Sequence, residues 1–191
     1  MFQCGIDEAG RGPLAGPVTA ACAVIREDLH VPGLGDSKAL SVARRREVAA
    51  ILKRELAAWG LGWAWPGEID RLNIHYATLL AMQRAYAEAT AACSEELLGA
   101  IAEPVLIDGK FIPELPVAAS AVVGGDATIP AVQAASILAK TARDAWMIEY
   151  AAREPQYLFE KHKGYPTPEH KALIRTYGPS RIHRHSFKAS L

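Results

Sequence analysis

The sequence lacks any long uninterrupted apolar run, although half of its 191 residues are apolar. A membrane-spanning helix needs about 18 or more consecutive apolar residues, so a transmembrane class is excluded. No signal-like apolar segment develops before the acidic residue Asp7, and we therefore expect a soluble, cytoplasmic protein. A chain of this length supports one main core and falls short of the length at which two domains become usual.

Cysteine is also scarce. The three cysteines are Cys4, Cys22 and Cys93. Their odd number, wide spacing and apolar neighbours indicate neither a disulfide framework nor a cysteine-based zinc site. We expect them to be buried structural thiols.

The chain also has no net charge, because 21 basic residues balance 21 acidic ones. The charge is nevertheless uneven. Residues 161–191 carry seven Lys or Arg and one acid, Glu169, which leaves 14 basic and 20 acidic residues in the preceding part. An acidic catalytic face beside a basic binding face is typical of an enzyme that cuts a polyanion, although a basic tail can also be a solvated flank.

Short apolar runs bounded by Gly, Pro or acidic residues predict five β-strands. They cover residues 2–6, 18–25, 61–65, 105–107 and 117–123. The short connection between the first two predicts an antiparallel pair. Apolar residues at helical spacing, together with capping residues and a proline suited to a first turn, predict three helices. These are residues 48–56, ended by Gly60 and Gly62, residues 69–98, beginning near Asp70 or Asn73, and residues 130–152.

The first predicted strand leads into Asp7-Glu8-Ala9-Gly10-Arg11-Gly12, which sets two carboxylates beside an arginine flanked by glycines. A divalent cation can neutralise two carboxylates that otherwise repel each other. Gly10 and Gly12 let the backbone approach a ligand, and Arg11 offers a planar fork for phosphate or ribose oxygens. This pattern suggests phosphodiester chemistry, whereas a solvated turn stays the alternative on these residues alone.

Two further predicted strands end in acids, Asp108 and Asp126. If the three strands are neighbours in one sheet, four carboxylates converge at one edge. Hydrolysis with two metal ions needs such a cluster, because the ions must lie about 3.5–4 Å apart. Hard oxygen ligands select Mg²⁺ or Mn²⁺ over Zn²⁺.

Eight short motifs follow one another along the chain. They are Asp7 to Val18, Asp36-Ser37-Lys38, Leu106 to Gly109, Gly125-Asp126, Ala134 to Lys140, Arg143-Asp144, His162 to Thr167 and Ser186-Phe187. Together, and in this order, they strongly resemble ribonuclease HII over nearly the whole chain. Each motif alone is a weak signal, but eight in sequence make chance similarity improbable.

The resemblance implies an α/β, ribonuclease H-like fold, in which a mixed five-stranded sheet is flanked by helices. It also implies a helical C-terminal segment that borders the substrate groove. We therefore expect residues 1–160 to form the catalytic domain, and residues 161–191 to form a basic substrate-binding segment packed on that domain.

The resemblance further implies an endonuclease that cleaves the RNA strand of RNA–DNA hybrids and cuts 5′ of single ribonucleotides in duplex DNA. The implied products carry 3′-OH and 5′-phosphate ends, and the activity would start ribonucleotide excision from DNA. Matched by position, the metal-binding catalytic carboxylates are Asp7, Glu8, Asp108 and Asp126. Gly10-Arg11-Gly12 matches the loop that senses the 2′-OH, and Tyr165 matches the tyrosine that packs on the following deoxyribose.

Other residues are candidates for supporting roles. Lys38, Ser136 and Lys140 could contact phosphates, which position a duplex without reading its sequence, although solvated lysines and a small packing residue are the alternatives. Asp144 follows Lys140 by one helical turn, so we expect an i, i+4 ion pair, with a metal role left open. Lys110 stands where the family often has asparagine and places a cation near the metal site.

Two other functions stay open from the sequence, a structure-selective nuclease of the same fold and a catalytically silent binder of hybrid duplexes. The Gly-Arg-Gly loop and Tyr165 argue against a structure-selective nuclease. The four carboxylates argue against a silent binder. We expect a monomer that depends on Mg²⁺ or Mn²⁺ and binds RNA–DNA hybrid or ribonucleotide-containing DNA. No clamp-binding peptide with glutamine and paired aromatics is seen, so recruitment by a sliding clamp through such a motif is not expected.

Overall fold

The computed structural model describes residues 1–34, 40–91 and 93–187. These residues contain five strands and seven α-helices. The strands are β1 (Phe2–Ala9), β2 (Val18–Arg26), β3 (Ala58–Ala64), β4 (Ile101–Asp108) and β5 (Ala119–Val122). The helices are α1 (Val42–Glu55), α2 (Pro66–Ala91), α3 (Glu95–Ala100), α4 (Gly125–Thr128), α5 (Pro130–Ala151), α6 (Phe159–His162) and α7 (Pro168–Tyr177). A short 3₁₀ helix, Pro155–Tyr157, precedes α6.

The strands form one mixed sheet in the order β3-β2-β1-β4-β5. As predicted, β1 and β2 are antiparallel, and β2 pairs with β3 in the same way. The pairs β1–β4 and β4–β5 are parallel. The predicted mixed five-stranded sheet flanked by helices is therefore confirmed.

Helices cover both faces of the sheet, and alternate residues of β2 show the two cores. Val18, Ala20, Cys22 and Val24 face a core shared with α2, whereas Ala21, Ala23 and Ile25 face one shared with α1 and α5. Side chains alternate between the faces of a strand, and both faces of β2 are covered, so the strand is apolar apart from Thr19 and the exposed terminal Arg26.

The cysteines only partly follow their prediction. Cys4 and Cys22 are buried in the first of these cores, with their sulfur atoms 3.4 Å apart. Cys93 is half-buried, because it follows the end of α2 rather than lying inside the sheet.

The prediction that Gly60 and Gly62 end α1 is wrong, because both lie inside β3. The helix already ends at Glu55, and the next residue is extended. A Cβ atom on Gly60 would overlap the backbone of Ala89, and one on Gly62 would overlap the carbonyl oxygen of Ala81. The glycines therefore let α2 pack directly on the backbone of β3.

The segment predicted as one helix over residues 69–98 is divided in the structure. Asn73 has φ 66° and ψ 166°, so the helical path of α2 is interrupted there. Its Oδ1 accepts hydrogen bonds from the N–H groups of His75 and Tyr76, at 2.9 and 3.3 Å. Asn73 is thus a helix-capping residue, as expected, and its cap begins the long second part of α2. The separate helix α3 starts after Ser94, whose hydroxyl caps it.

The C-terminal segment packs against the loop between β1 and β2. Ala15 and His183 form an isolated β-bridge. The N–H of Leu14 donates to the carbonyl of Gly164, and the N–H of Arg184 donates to the carbonyl of Leu14, both at 2.8 Å. These contacts bring residues 163–184 alongside the loop that follows β1. Across residues 1–34, 40–91 and 93–187, no helix has the length and apolar character needed to cross a membrane.

Candidate active site

The central strand positions the first two carboxylates. β1 lies between β2 and β4, and Asp7 and Glu8 stand near its C-terminal end. Asp7 is only 5% exposed. The main-chain N–H of Glu8 donates a hydrogen bond to Oδ1 of Asp7 at 2.7 Å, which orients that carboxylate.

The third carboxylate comes from the neighbouring parallel strand. β4 pairs Ile107 with Ile6, so Asp108 reaches the sheet edge beside Asp7. Parallel strands end at the same edge, which is why these two acids meet there although they are far apart in the sequence.

The fourth carboxylate, Asp126, does not lie at the end of a strand as predicted. β5 ends at Val122, and Asp126 lies in the short helix α4. Gly124 makes the connecting turn with φ 74°, a conformation that glycine adopts readily. The N–H of Asp126 donates to Oδ1 of Asp108 at 3.3 Å, so the turn brings the two acids together.

A cavity of about 440 Å³ collects these acids and most of the other predicted site residues. It is lined by Asp7, Glu8, Ala9, Gly10, Arg11, Arg45, Asp108, Asp126, Ser136, Ile137, Lys140 and Tyr165. Gly12 and Asp144 are not among the lining residues, and Lys38 lies outside the described residues. Ala9, Arg45 and Ile137 line the cavity without having been predicted from the sequence.

The carboxylates of β1 carry charge that the fold neutralises only in part. Burial raises the pKa of Asp7 well above its usual range, and the charges of Glu8 and Asp108 raise it further. A hydrogen bond from Ser136 opposes this shift. Burial likewise raises the pKa of Glu8, although Arg11 lowers it in part. A cation in the cavity would relieve both the burial cost and the repulsion.

The donor set suits a hard divalent cation, because carboxylate oxygens are the ligands that Mg²⁺ and Mn²⁺ prefer. No group of three or more His, Cys, Asp or Glu forms a ready-made ligand cage in residues 1–34, 40–91 and 93–187. The acids therefore line an open wall rather than a closed shell. Mg²⁺ usually keeps several of its waters, so an open wall of carboxylates fits it.

Helix α5 presents two polar side chains to the cavity, Ser136 and Lys140, which are four residues apart and so share one face. Ser136 hydrogen-bonds Asp7, which gives it a role toward the carboxylate. Nζ of Lys140 lies 2.8 Å from Oδ1 of Asp144, so the expected i, i+4 ion pair is present. Asp144 thus orients Lys140 from outside the cavity.

Tyr165 forms another wall of the cavity and is 37% exposed. Gly164, with φ 82°, passes so close to the carbonyl of Ala15 that a Cβ atom would not fit there. Nζ of Lys140 lies 5.3 Å from the centre of the Tyr165 ring. The ring is therefore held at the edge of the cavity with a cation over its face.

Three more cations surround the acids. Nη1 of Arg11 lies 3.5 Å from Oε1 of Glu8. Arg45 reaches the cavity from α1, and its Nη2 donates to the carbonyl of Leu40 at 3.1 Å. Lys110 lines a smaller adjoining depression together with Glu8, Arg11 and Asp108, among other residues, so it does lie beside the carboxylates.

Two buried arginines support this site, and the motifs alone do not predict their role. Arg143 and Arg184 lie beneath the loop of residues 10–17 and donate to its carbonyl groups. The sequence does contain one indication for Arg143. It lies on α5 four residues after Ala139 and four residues before Met147, so all three share one face of the helix, and both neighbours are buried. An arginine in a buried apolar stripe is unusual and indicates a specific partner.

A mixed sheet in this strand order, with acids meeting at the C-terminal ends of two parallel strands, defines a ribonuclease H-like nuclease. The family model described as ribonuclease HII matches residues 4–190. A ribonuclease HII of Moorella thermoacetica is 49% identical over 187 residues, covering 96% of this chain and 85% of the relative. A ribonuclease HII of Dechloromonas aromatica is 48% identical over 184 residues, covering 96% and 89%.

Solved structures agree on the fold. The structure of the PCNA:RNase HII complex from Archaeoglobus fulgidus matches with a TM-score of 0.77 and 22% identity, covering 100% of this chain and 97% of that one. Bst-RNase HIII in complex with Mn²⁺ matches with a TM-score of 0.71 and 17% identity, covering 98% and 67%.

The chain belongs to the ribonuclease HII family. It is a ribonuclease H enzyme, an endoribonuclease that acts on RNA–DNA hybrids and depends on a divalent metal.

Proposed function

We propose that this enzyme cuts duplex DNA on the 5′ side of a single ribonucleotide, as well as the RNA strand of hybrids, and so starts ribonucleotide removal from DNA. Its products carry 3′-OH and 5′-phosphate ends. One observation carries the proposal: the residues of the four carboxylates, together with Gly10, Arg11 and Tyr165, line the same cavity. A ribose held at this cavity can therefore meet the acids and the glycine-flanked loop together.

Asp7, Glu8, Asp108 and Asp126 are the residues that would hold the metal. Two bound divalent cations, Mg²⁺ or Mn²⁺, would supply an activated water and charge to balance the phosphate. The protein residues perform the rest. Ser136 orients the Asp7 carboxylate, which is also fixed by the N–H of Glu8.

The recognition surface is divided between two sides of the cavity. The 2′-OH is the group that distinguishes ribose from deoxyribose, and Gly10 and Gly12 let main-chain groups approach it. Tyr165 packs on the sugar that follows. Arg11, Arg45 and Lys140 supply positive charge for phosphate oxygens, which fixes the position of the duplex without reading its bases.

The test is cleavage of a labelled DNA duplex that contains one ribonucleotide, measured with Mg²⁺, with Mn²⁺ and with EDTA. An all-DNA duplex of the same sequence is the control. We expect metal-dependent cutting on the 5′ side of the ribonucleotide and no cutting of the control. Equal cutting of both duplexes would instead indicate a structure-selective nuclease, and no cutting of either would contradict the proposal.

An Asp108→Ala variant completes this experiment. We expect it to lose cleavage while still binding the ribonucleotide-containing duplex, because the basic contacts lie on other residues. Retained cutting would refute the assigned role of Asp108. A catalytically silent binder would behave like this variant without any substitution.

We propose that the enzyme acts as a monomer in solution. The Archaeoglobus fulgidus structure is a complex with PCNA, but that likeness supports the fold alone. Recruitment by a clamp through a glutamine-and-aromatic peptide is still not expected for this chain. Sedimentation of the protein alone tests the first point, and a dimer would contradict it. Sedimentation with a clamp tests the second, and a stable complex that a glutamine-and-aromatic peptide displaces would contradict it.

A further inference from the structure

Two guanidinium groups are buried beneath the loop that joins β1 to β2. Arg143 is 0% exposed and Arg184 is 2% exposed. Arg143 donates to the carbonyls of Pro17 at 2.8 Å and of Ala15 at 3.1 Å. Both side chains therefore bind backbone oxygens of one short loop.

Arg184 binds the part of the loop that lines the cavity, which is Gly10 and Arg11. Its guanidinium donates to the carbonyls of Gly10, Arg11 and Gly16, at 2.6, 3.0 and 2.9 Å. In a planar trans peptide the N–H points opposite to the preceding C=O. Since the carbonyls of Gly10 and Arg11 point to Arg184, the N–H groups of Arg11 and Gly12 point away from it, and of these two residues Arg11 lines the cavity.

Arg143 connects this loop to the segment that carries Tyr165. Its Nη1 donates to the carbonyl of Lys163 at 3.1 Å, and its guanidinium carbon lies 5.7 Å from the centre of the Tyr165 ring. Gly10 has φ 95°, and a Cβ atom there would overlap the Arg143 side chain. One side chain thus sets the spacing between the glycine-rich loop and the tyrosine.

Packing alone does not explain two buried cations at this place. Burial and, to a smaller extent, the nearby charge of Arg143 together lower the pKa of Arg184 to about 9. Well-packed apolar side chains would fill the same space without this desolvation cost. A guanidinium, however, is the side chain that can bind several backbone carbonyls at once through its rigid fork.

We propose that Arg143 and Arg184 are positioning residues for recognition of the ribonucleotide junction. Arg184 turns two loop N–H groups toward the ribose, and Arg143 fixes the distance from that loop to the ring of Tyr165. The inference rests on the proposed function, because it assumes that the ribose and the following deoxyribose are read by the loop and by Tyr165. Neither arginine needs to touch the substrate.

The test compares Arg143→Lys and Arg184→Lys with the wild-type enzyme. Lysine keeps the charge but loses the fork. For each protein, kcat and KM are measured on a duplex with one ribonucleotide and on an all-RNA hybrid of the same sequence. We expect the ratio of kcat/KM, junction over hybrid, to fall by about tenfold, since small displacements of recognition groups can cost this much or more.

Arg84→Lys is the matched control. Arg84 also makes several contacts, to Glu68 and to the carbonyl of Trp63, but it lies between α2 and β3 and does not line the cavity. We expect Arg84→Lys to lower the melting temperature without changing the substrate ratio. The ratio is unaffected by a general loss of folded enzyme, because both substrates use the same site.

The outcomes separate the two proposals. An unchanged ratio in folded Arg143→Lys and Arg184→Lys would overturn the positioning role, even if both variants are less active. A wild-type enzyme that cuts only the all-RNA hybrid would overturn the proposed function instead. Should the lysine variants fail to fold, Gly10→Ala disturbs the same contact from the loop side, and an unchanged ratio there would also overturn the inference.

Discussion

Nε2 of His170 lies 3.1 Å from Nε2 of His183, and both rings are buried. The N–H of Ser180 donates to Nδ1 of His183 at 2.7 Å, so the proton of that ring must be on Nε2. His183 then donates to His170, whose Nδ1 donates in turn to the carbonyl of Tyr165 at 2.9 Å. The complete set of hydrogen bonds therefore forms only while both rings are neutral, because a proton added to His170 removes the acceptor of the ring–ring bond and one added to His183 removes the acceptor of the Ser180 N–H.

This arrangement predicts a loss of stability in mild acid. Burial lowers the pKa of His170 and of His183 to about 4, from an ordinary value of 6.5. The unfolded chain therefore binds more protons than the folded one between pH 6.5 and about 4, and stability falls as the pH falls through that window. We expect the melting temperature to decrease steadily from pH 6.5 to about pH 4.

A histidine variant tests whether these rings cause the effect. His183→Asn keeps an acceptor for the N–H of Ser180 but removes Nε2, so we expect a weaker pH dependence over the same window. His30→Asn, at an exposed position, is the control and should keep the wild-type slope. An identical slope in His183→Asn would contradict this explanation.

Asp7→Asn should separate stability from activity. Burial and the neighbouring acids raise the pKa of Asp7 in the folded protein. At a pH above the ordinary pKa of an aspartate, the ionised side chain therefore opposes folding. We expect the variant to lose cleavage and, at neutral pH in EDTA, to melt at least about 2 °C higher, which corresponds to about 1 kcal/mol for a chain of this size. Thermal unfolding measures the shift.

The wild-type protein should also gain stability from Mg²⁺, because a ligand that binds only the folded state raises its stability. Asp7→Asn should lose most of that gain. The control is Asp28→Asn, since Asp28 is exposed and pairs with Arg26. A lower melting temperature for Asp7→Asn than for Asp28→Asn in EDTA would contradict the expectation that the buried, ionised Asp7 destabilises the metal-free protein.

The sequence was sufficient for the acidic site and insufficient for close packing between distant segments. Strand ends are marked locally by apolar runs that stop at acids, so three of the four carboxylates were placed at the correct strand ends. Gly60 and Gly62 were misjudged, because the same residue type ends helices and admits close helix–strand packing. Only the three-dimensional approach of α2 to β3 distinguishes the two cases.

Gly62→Ala follows from that difference. Its methyl group would overlap the carbonyl oxygen of Ala81, so α2 must move away from β3. Overpacking of this kind costs about 1–3 kcal/mol, which thermal or denaturant unfolding can measure. Gly67→Ala is the control, because a Cβ atom there meets no atom within 4 Å. If Gly62→Ala were as stable as Gly67→Ala, the close-packing explanation would be wrong.

The buried arginines show a second limit of sequence-based prediction. Arg143 and Arg184 are separated by about 40 residues, yet they bind neighbouring carbonyls of the same loop. Nothing in either local sequence identifies that shared partner. The motif around Arg11 was evident from the sequence, whereas the side chains that hold it in place were not.

Lys140→Ala should weaken binding of any duplex and reduce its dependence on salt. Each phosphate contact by a cation releases counterions, so losing one lowers the slope of log K against log salt by about 1. Binding is measured in EDTA at several salt concentrations, with all-DNA and ribonucleotide-containing duplexes. Lys53→Ala is the matched control, since Lys53 also lies over an aromatic ring, that of Trp59, but does not line the cavity. Equal slopes for the two variants would exclude a phosphate contact by Lys140.

Tyr165→Ala should reduce the preference for a ribonucleotide followed by DNA. The ring stands at the cavity edge, held through its backbone by His170 and faced by Lys140, so a sugar can pack against it. Aromatic contacts with nucleic acid contribute about 1–3 kcal/mol, and we expect the junction-to-hybrid ratio of kcat/KM to fall about tenfold. Tyr165→Phe should keep most of the ratio, because packing requires the ring and not the hydroxyl. Tyr177→Ala removes an exposed tyrosine outside the cavity and should leave the ratio unchanged. A ratio that survives in Tyr165→Ala would show that the junction is read elsewhere.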